Sequence, residues 1–178
     1  MLIPRYYFSN DYRDFYEYFL TQPHTVKIFR KDEYLWNYGD PITHIYYIIS
    51  GAAMTTLEHE NGSRKISSFH GEGTVFPGFH RSVFKIEQSI ATKAVTDMET
   101  LCFTGAAFLE MLSENSRLML STLDWYASYI NLLLYESAHQ DYNSSFVKLC
   151  NLLYLFTQNS PGGRTDRIDL TQENIAEI

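Results

Sequence analysis

Residues 45–62, Ile-Tyr-Tyr-Ile-Ile-Ser-Gly-Ala-Ala-Met-Thr-Thr-Leu-Glu-His-Glu-Asn-Gly, decide the fold of this 178-residue chain. Ile45–Ile49 is a continuous apolar run, typical of a strand buried on both faces, and it ends at Ser50-Gly51. A second strand is predicted over Ala52–Leu57. Asn61-Gly62 then predicts a hairpin turn, because this dipeptide adopts positive φ easily. The stretch therefore predicts buried strands joined by tight turns.

Strand-like segments continue on both sides of this stretch, from Thr25 to Phe103. Val26 and Ile28 alternate with polar residues, and strand patterns recur at 64–69, 74–76, 90–95 and 100–103. An aromatic content of 16%, with 14 Tyr and 12 Phe, suits a sheet filled by bulky side chains. We predict a mainly β fold with α-helices, in which about eight strands form a double-stranded β-helix or jelly-roll.

Helices are predicted before and after the β region. Residues 10–20 predict a short helix capped by Asn10 or Ser9, and residues 106–112 predict another. A long helix is predicted from Arg117 to about Gln140, with a length of roughly 36 Å at 1.5 Å per residue.

The long helix carries two apolar stripes. The first has the 4-3-4-3 spacing of a coiled-coil seam and consists of Met119, Leu123, Tyr126, Ile130 and Leu133. The second consists of Leu118, Trp125, Tyr129 and Leu132. One stripe can pack on the chain's own β domain, and the other then needs a partner. We therefore predict a homodimer in which the first stripe is the interface.

The last part of the chain predicts a further helix and an unfinished motif. A polar break at 141–145 precedes a predicted helix at 146–157, and Ser160-Pro-Gly-Gly163 predicts a turn. Residues 167–170 alternate as in a strand, and Thr171 can cap a helix that starts there. We expect that helix to continue beyond Ile178.

Composition and charge exclude several classes of protein. The formal net charge of −7 gives no basic footprint for nucleic acid. No apolar run approaches the roughly 20 residues of a membrane helix, and the N-terminus lacks a signal-peptide pattern. Cys102 and Cys150 lack metal-site spacing and are expected to be reduced, buried thiols. These features predict a soluble cytoplasmic protein that does not associate with membranes.

The sequence offers no catalytic or metal site. It contains no Gly-x-Ser-x-Gly elbow and no phosphate-binding Gly-rich loop before a helix. Four of the six histidines, His44, His59, His70 and His80, fall in the β region, but no His-x-His pair occurs, which disfavours a cupin-type metalloenzyme. His70, beside Gly71, is expected in a loop or at the surface. We predict no enzyme activity, no metal and no cofactor.

The order of motifs resembles the CRP/FNR superfamily of bacterial transcription regulators over essentially the whole chain. The matching segments are Arg30-Lys-Asp-Glu33, Gly39-Asp40, Ile45–Gly51, Glu60-Asn-Gly-Ser63, Gly73-Thr-Val-Phe76 and Leu170–Ile178. The last segment is similar to the entry into the family's helix-turn-helix.

This resemblance implies a division of the chain into three parts. Residues 1–115 would form a cyclic-nucleotide-binding-like β-roll sensor, 116–141 a dimerisation helix, and 142–178 the incomplete start of a winged helix-turn-helix. Thr171 and Gln172 would begin the DNA-binding part, with the remaining DNA contacts made by residues beyond this chain. RNA polymerase is a further candidate partner.

Two positions depart from the family's cyclic-nucleotide pattern. The family's pocket resembles Gly-Glu-Leu followed about ten residues later by Arg-Ser/Thr-Ala, in which the Glu binds ribose and the Arg binds phosphate. Here Gly78 stands for the Glu and Gln88 for the Arg. An amide cannot replace a guanidinium on a buried phosphate, so we predict weak or no binding of cyclic nucleotides. The absence of an N-terminal cysteine cluster also argues against the oxygen-sensing branch.

A different effector pocket is predicted beneath the long helix. Its apolar residues would be Phe76, Phe79, Ile90, Tyr126, Tyr129 and Ile130, and its polar groups Gln88, Ser89, Thr92 and Asn131. Such a lining suits a small, largely uncharged organic ligand. The alternative is that these side chains only fill the roll and that no effector exists. A cyclic-nucleotide or other small-ligand sensor without DNA binding is the alternative function.

Overall fold

The computed structural model describes residues 7–59, 61–78, 89–139, 143–158 and 172; the side chains of residues 132, 135–139, 151–152 and 155–158 are outside this description. The strands are β1 Tyr7–Phe8, β2 Thr25–Phe29, β3 Tyr34–Trp36, β4 His44–Ser50, β5 Ala52–Glu58, β6 Arg64–Gly71, β7 Val75–Phe76, β8 Ile90–Ala94 and β9 Met98–Thr104. The helices are a 3-10 helix at Arg13–Phe15, α1 Tyr16–Leu20, α2 Gly105–Glu114, α3 Ser116–His139 and α4 Ser145–Gln158.

The strands form two sheets that face each other. A five-stranded sheet has the order β1-β6-β5-β8-β3, and a four-stranded sheet has the order β2-β9-β4-β7. The predicted β domain with a long helix after it is confirmed. The predicted start of a winged helix-turn-helix falls mainly on residues 159–171 and 173–178, which lie outside the described residues.

The hairpin predicted at Asn61-Gly62 is confirmed and joins β5 to β6. Gly62 has φ +82°, and the His59 amide donates to the Ser63 carbonyl at 2.8 Å. Gly51, between β4 and β5, has φ +87°, and a Cβ there would collide with the backbone of Asp97 and Met98. Both turns therefore require glycine.

The N-terminal segment differs from the predicted helix at 10–20. Asn10 does not cap a helix: its φ is +63°, and its amide donates to the Glu72 carbonyl at 2.9 Å. The Tyr12 amide donates to Gly73 at 2.8 Å, so helical structure begins only at Arg13. Backbone pairing with the β6–β7 turn outweighs local helix propensity here. The same pairing continues from β1, a strand that was not predicted from the sequence.

Two buried clusters account for most of the described core. One fills the space between the four-stranded sheet and the helices and includes Phe19, Leu101, Phe103, Phe108, Met111 and Leu118. The other lies between the sheets and includes Trp36, Tyr46, Ile48, Ala53, Phe76, Ala94, Met98 and Cys102. Both cysteines are free. Cys102 is buried as expected, but Cys150 is exposed on α4, where Leu149 and Leu153 are exposed too. None of the described helices is long and apolar enough to cross a membrane.

Candidate functional site

The long helix α3 is anchored at its start by Asn115. The Asn115 side-chain oxygen accepts a hydrogen bond from the Leu118 amide at 3.1 Å, which satisfies a first-turn donor. The Leu118 side chain has 0% exposure and belongs to the core cluster beneath the helices. This cap and this anchor fix where α3 begins and which side of it faces the roll.

Aromatic rings continue the contact between α3 and the roll. The Phe8 ring on β1 makes edge contacts with Trp125 and Tyr129, at centroid distances of 5.3 and 5.4 Å. Trp125 and Tyr129 stack on each other at 5.5 Å. The Tyr12 hydroxyl also donates to Thr122 Oγ1 at 3.4 Å. The second predicted stripe therefore packs on the chain's own roll, apart from Leu132, whose side chain is outside the description.

Most of the predicted dimer seam lies away from the roll. Its exposed members are Met119, Leu123, Ile130 and Leu133, with Ile130 53% exposed. Tyr126 differs, since it is half-buried and its hydroxyl lies where a Cβ on Gly78 would stand. Asn131, which was predicted to bind an effector, is exposed like its neighbour Ile130. The structure thus brings Tyr126 and Tyr129 to the roll and leaves Ile130 and Asn131 outside it.

A row of polar residues crosses the five-stranded sheet. Register pairs Ser68 on β6 with Thr55 on β5, Thr55 with Thr92 on β8, and Thr92 with Trp36 on β3. The Thr55 and Thr92 hydroxyls are 2.8 Å apart. Trp36 belongs to the cluster between the sheets, and side-chain alternation puts Thr55 and Thr92 on the same face as its members Ala53 and Ala94. The row therefore faces the inside of the roll.

His70 lies in the adjacent row of the same sheet. It pairs in register with Phe8 on one side and with Ala53 on the other. Its ring stacks on Phe76 at a centroid distance of 4.5 Å, and its Nε2 shares a hydrogen bond with Ser68 Oγ at 2.9 Å. Burial lowers the pKa of His70 from 6.5 to about 3, so the ring is neutral. Its Nδ1 has no hydrogen-bond partner.

The expectation that His70 is a loop or surface residue is wrong. The strand predicted at 64–69 extends to Gly71, which buries His70 to 7% exposure. Thr55, Ser68 and His70 were not among the predicted site residues. Ser68 and His70 are two residues apart, and this spacing could have indicated that both lie on the same face of a strand. The prediction placed His70 in a loop because the following Gly71 is typical of the end of a strand.

The other predicted effector residues are distributed around this region. Phe76 is 2% exposed on β7 and contacts both His70 and Trp36. Ser89 and Ile90 are half-buried at the start of β8, where Ile90 pairs with Leu57. Phe79 and Gln88 lie outside the described residues. The effector site therefore stays a prediction.

Asp11 connects the roll to α3 through a polar contact. Its carboxylate accepts a hydrogen bond from Thr74 Oγ1 at 3.0 Å and another from the Trp125 side chain. Partial burial raises the pKa of Asp11, and the hydrogen bonds with Thr74 and Trp125 oppose that shift. The N-terminal segment thus bridges the β6–β7 turn and the long helix. In the described part of the chain, no group of three or more His, Cys, Asp or Glu side chains is placed so that it could bind a metal ion.

One protein-family model matches half of the chain. The model described as "Cyclic nucleotide-binding domain" aligns with residues 26–115, which are β2 through the end of α2. No curated protein matches the sequence.

Solved structures resemble nearly the whole chain. CprK complexed with OCPA has a TM-score of 0.68 and 16% identity, with 93% of this chain and 75% of that one covered. FixK2 from Bradyrhizobium japonicum has a TM-score of 0.70 and 16% identity, covering 87% and 76%. The c-di-GMP responsive regulator CLP of Xanthomonas campestris has a TM-score of 0.66 and 16% identity, covering 84% and 74%. At this identity the likeness shows the fold. These neighbours are CRP/FNR-family regulators, so the resemblance predicted from the motifs is confirmed.

Proposed function

The chain belongs to the cyclic nucleotide-binding domain family, and we propose that it is the sensor and dimerisation part of a CRP/FNR-type transcription regulator. In this proposal residues 1–115 sense, 116–141 pair two copies, and 142–178 begin the DNA-binding part that includes Thr171 and Gln172. The regulator would act in the cytoplasm on DNA, with RNA polymerase as a further partner.

One observation carries the proposal: α3 is apolar on two sides, and only one of them is covered. Leu118, Trp125 and Tyr129 pack on the roll, whereas Leu123 is 58% and Ile130 53% exposed. Exposed apolar side chains at coiled-coil spacing favour pairing with a second helix of the same kind. A second copy of α3 supplies that helix by two-fold symmetry.

The proposed mechanism couples the inside of the roll to the paired helices. An effector bound inside the roll would act on β6 and on the aromatic contacts of Phe8 with Trp125 and Tyr129. It would thereby favour one arrangement of the two α3 helices, which in turn sets the separation of the DNA-binding parts.

The proposal also holds that the effector is not a cyclic mononucleotide. Gly78, at the position where a ribose-binding Glu would stand, is packed against the Tyr126 hydroxyl, so a longer side chain there has no room without movement of that ring. Neighbours of the same fold are described with chemically different ligands: CLP as c-di-GMP responsive, and CprK in complex with o-chlorophenolacetic acid. The fold therefore does not impose a single ligand.

Light scattering and calorimetry test the two parts of the proposal. Multi-angle light scattering at micromolar concentration should give twice the mass of 20.8 kDa for the chain. Isothermal titration with cAMP and with cGMP should give no saturable heat at micromolar nucleotide. A monomer would contradict the pairing of α3, and micromolar nucleotide affinity would contradict the effector assignment.

A further inference from the structure

We propose that His70 and Trp36 together bind the effector, and that this effector is a small, uncharged, planar compound with a hydroxyl group and a carbonyl acceptor. The inference rests on the proposed function, which places the effector inside the roll.

Two unsatisfied ring nitrogens lie between the sheets. Among the described residues, the buried side-chain polar atoms without a hydrogen-bond partner are His70 Nδ1 and Trp36 Nε1. Leaving a buried donor or acceptor unpaired costs about 1–3 kcal/mol, and native proteins rarely do so without a reason. A ligand that pairs both atoms would recover this free energy on binding.

The two rings that carry these nitrogens contact the same side chain. The His70 and Trp36 rings contact the same Phe76 ring, at centroid distances of 4.5 and 5.9 Å. Trp36 ends the polar row that contains Thr92 and Thr55, and His70 is hydrogen-bonded to Ser68 at the other end of that row. In this proposal one small molecule beside Phe76 pairs with both nitrogens.

The two nitrogens require different partner groups. The Trp36 indole N–H is only a donor, so it requires an acceptor such as a carbonyl oxygen. The neutral His70 ring either donates or accepts at Nδ1, depending on which hydrogen bond Ser68 makes to Nε2, and a hydroxyl group satisfies both cases. The Phe76 ring stacks on His70 and is tilted by 39° against Trp36, and these aromatic surfaces favour a flat molecule.

The described residues around the site also disfavour a charged ligand. In the described part of the chain, no Asp, Glu, Lys or Arg is buried; the buried polar residues are Thr55, Ser68, His70, Thr74, Thr92, Thr100 and Thr122. A carboxylate or phosphate in this site would lose its hydration without gaining a counter-charge. The described residues of the site therefore favour an uncharged compound.

The test uses two probes of equal size that differ in charge, 4-hydroxybenzamide and 4-hydroxybenzoate, at pH 6.5. Two-dimensional ¹H–¹⁵N spectra report the indole N–H signals of Trp36 and Trp125 separately. Trp125, which is hydrogen-bonded to Asp11 and contacts Phe8, reports whether binding affects α3. We expect saturable movement of the Trp36 signal with 4-hydroxybenzamide and at least tenfold weaker binding of 4-hydroxybenzoate.

Variants of His70 separate recognition from folding. His70→Phe keeps a flat ring between Phe8 and Phe76 and should weaken 4-hydroxybenzamide at least tenfold, while His70→Asn, which keeps a polar group, should retain part of the affinity. His59→Phe, at the exposed hairpin, is the matched control and should bind normally. An unmoved Trp36 signal at millimolar 4-hydroxybenzamide, equal affinity for the benzoate, or full binding by His70→Phe would overturn the inference. Light scattering on the same samples distinguishes failure of this inference from failure of the proposed function. A dimer that does not bind the probe refutes only the ligand assignment.

Discussion

The two sides of α3 have similar composition but opposite environments. Leu118, with 0% exposure, and Trp125 and Tyr129 pack on the roll, whereas Leu120, Leu123 and Ile130 are more than half exposed. The roll-facing side also carries polar contacts, including those of Thr122 with Tyr12 and of Trp125 with Asp11. The exposed side also carries Asp124 and Asn131, but its apolar members Met119, Leu123, Ile130 and Leu133 have the spacing of a seam.

This difference shows how one helix can serve two purposes. The roll-facing side is held by contacts within the chain, and in the proposed mechanism it transmits changes in the roll. The apolar side chains on the exposed side are removed from water, and so stabilise the structure, only when a partner packs against them. A perturbation of either side should therefore give a distinct result.

Ile130→Asp should have the largest effect, and only on association. A charge buried in an apolar seam is not compensated, so the dimer dissociation constant should rise at least 100-fold, equivalent to about 3 kcal/mol. Sedimentation equilibrium measures the change. Ser128→Asp is the matched control, since Ser128 is exposed and lies roughly 160° around the helix from Ile130. Equal dissociation by the two variants would remove the distinction between the sides.

Leu118→Ala should destabilise the fold rather than the dimer. Removal of a fully buried Leu side chain costs about 2–5 kcal/mol, and Leu118 has 0% exposure. Urea denaturation in the Ile130→Asp background measures this loss in the monomer. Leu120→Ala, two residues away and 66% exposed, should change the free energy of unfolding by less than about 0.5 kcal/mol. A similar loss for both variants would mean that α3 is not anchored as described.

Acidification should loosen the roll beneath α3. The pKa of His70 is lowered to about 3 in the folded state, against 6.5 for an unperturbed histidine. Between these two pH values the unfolded chain binds this proton and the folded chain does not. The His70 contribution is therefore intact above pH 6.5 and is lost as the pH falls toward 3, by up to about 1.4 kcal/mol per pH unit. The raised pKa of Asp11 acts in the opposite direction. Urea denaturation from pH 7 to 5 should show a shallower slope for His70→Phe than for the wild type; parallel slopes would contradict the burial of His70.

Gly78→Ala should have the smallest effect of the four. The added Cβ would overlap the Tyr126 hydroxyl, so the ring must move, at an expected cost of about 1–2 kcal/mol. Tyr126→Phe removes that hydroxyl and should relieve part of the loss, although the ring carbon atoms are also close to Gly78. A double-mutant cycle in thermal denaturation measures the coupling. Additive changes would show that Tyr126 does not lie over Gly78.

Local sequence patterns predicted much of the fold but less of the candidate site. The apolar run at Ile45–Ile49 and the Asn61-Gly62 turn predicted their elements because both signals depend on neighbouring residues only. The strand β1 was missed since two residues carry no period, and its pairing with Phe69 and His70 spans more than sixty positions. His70 was misplaced for a related reason: its burial comes from Phe8 and Phe76, on other strands.

The sequence by itself determined the alternating strands, the glycine turns and the two apolar stripes of the long helix, because each follows from backbone conformation and short-range spacing. Only the tertiary structure decided which stripe faces the roll, how Ser68, Thr55, Thr92 and Trp36 line up across four strands, and that His70 and Trp36 keep unsatisfied nitrogens around Phe76. The physical reason is that burial and cross-strand register are set by segments distant in sequence, which must exclude water together before any one side chain has a definite environment.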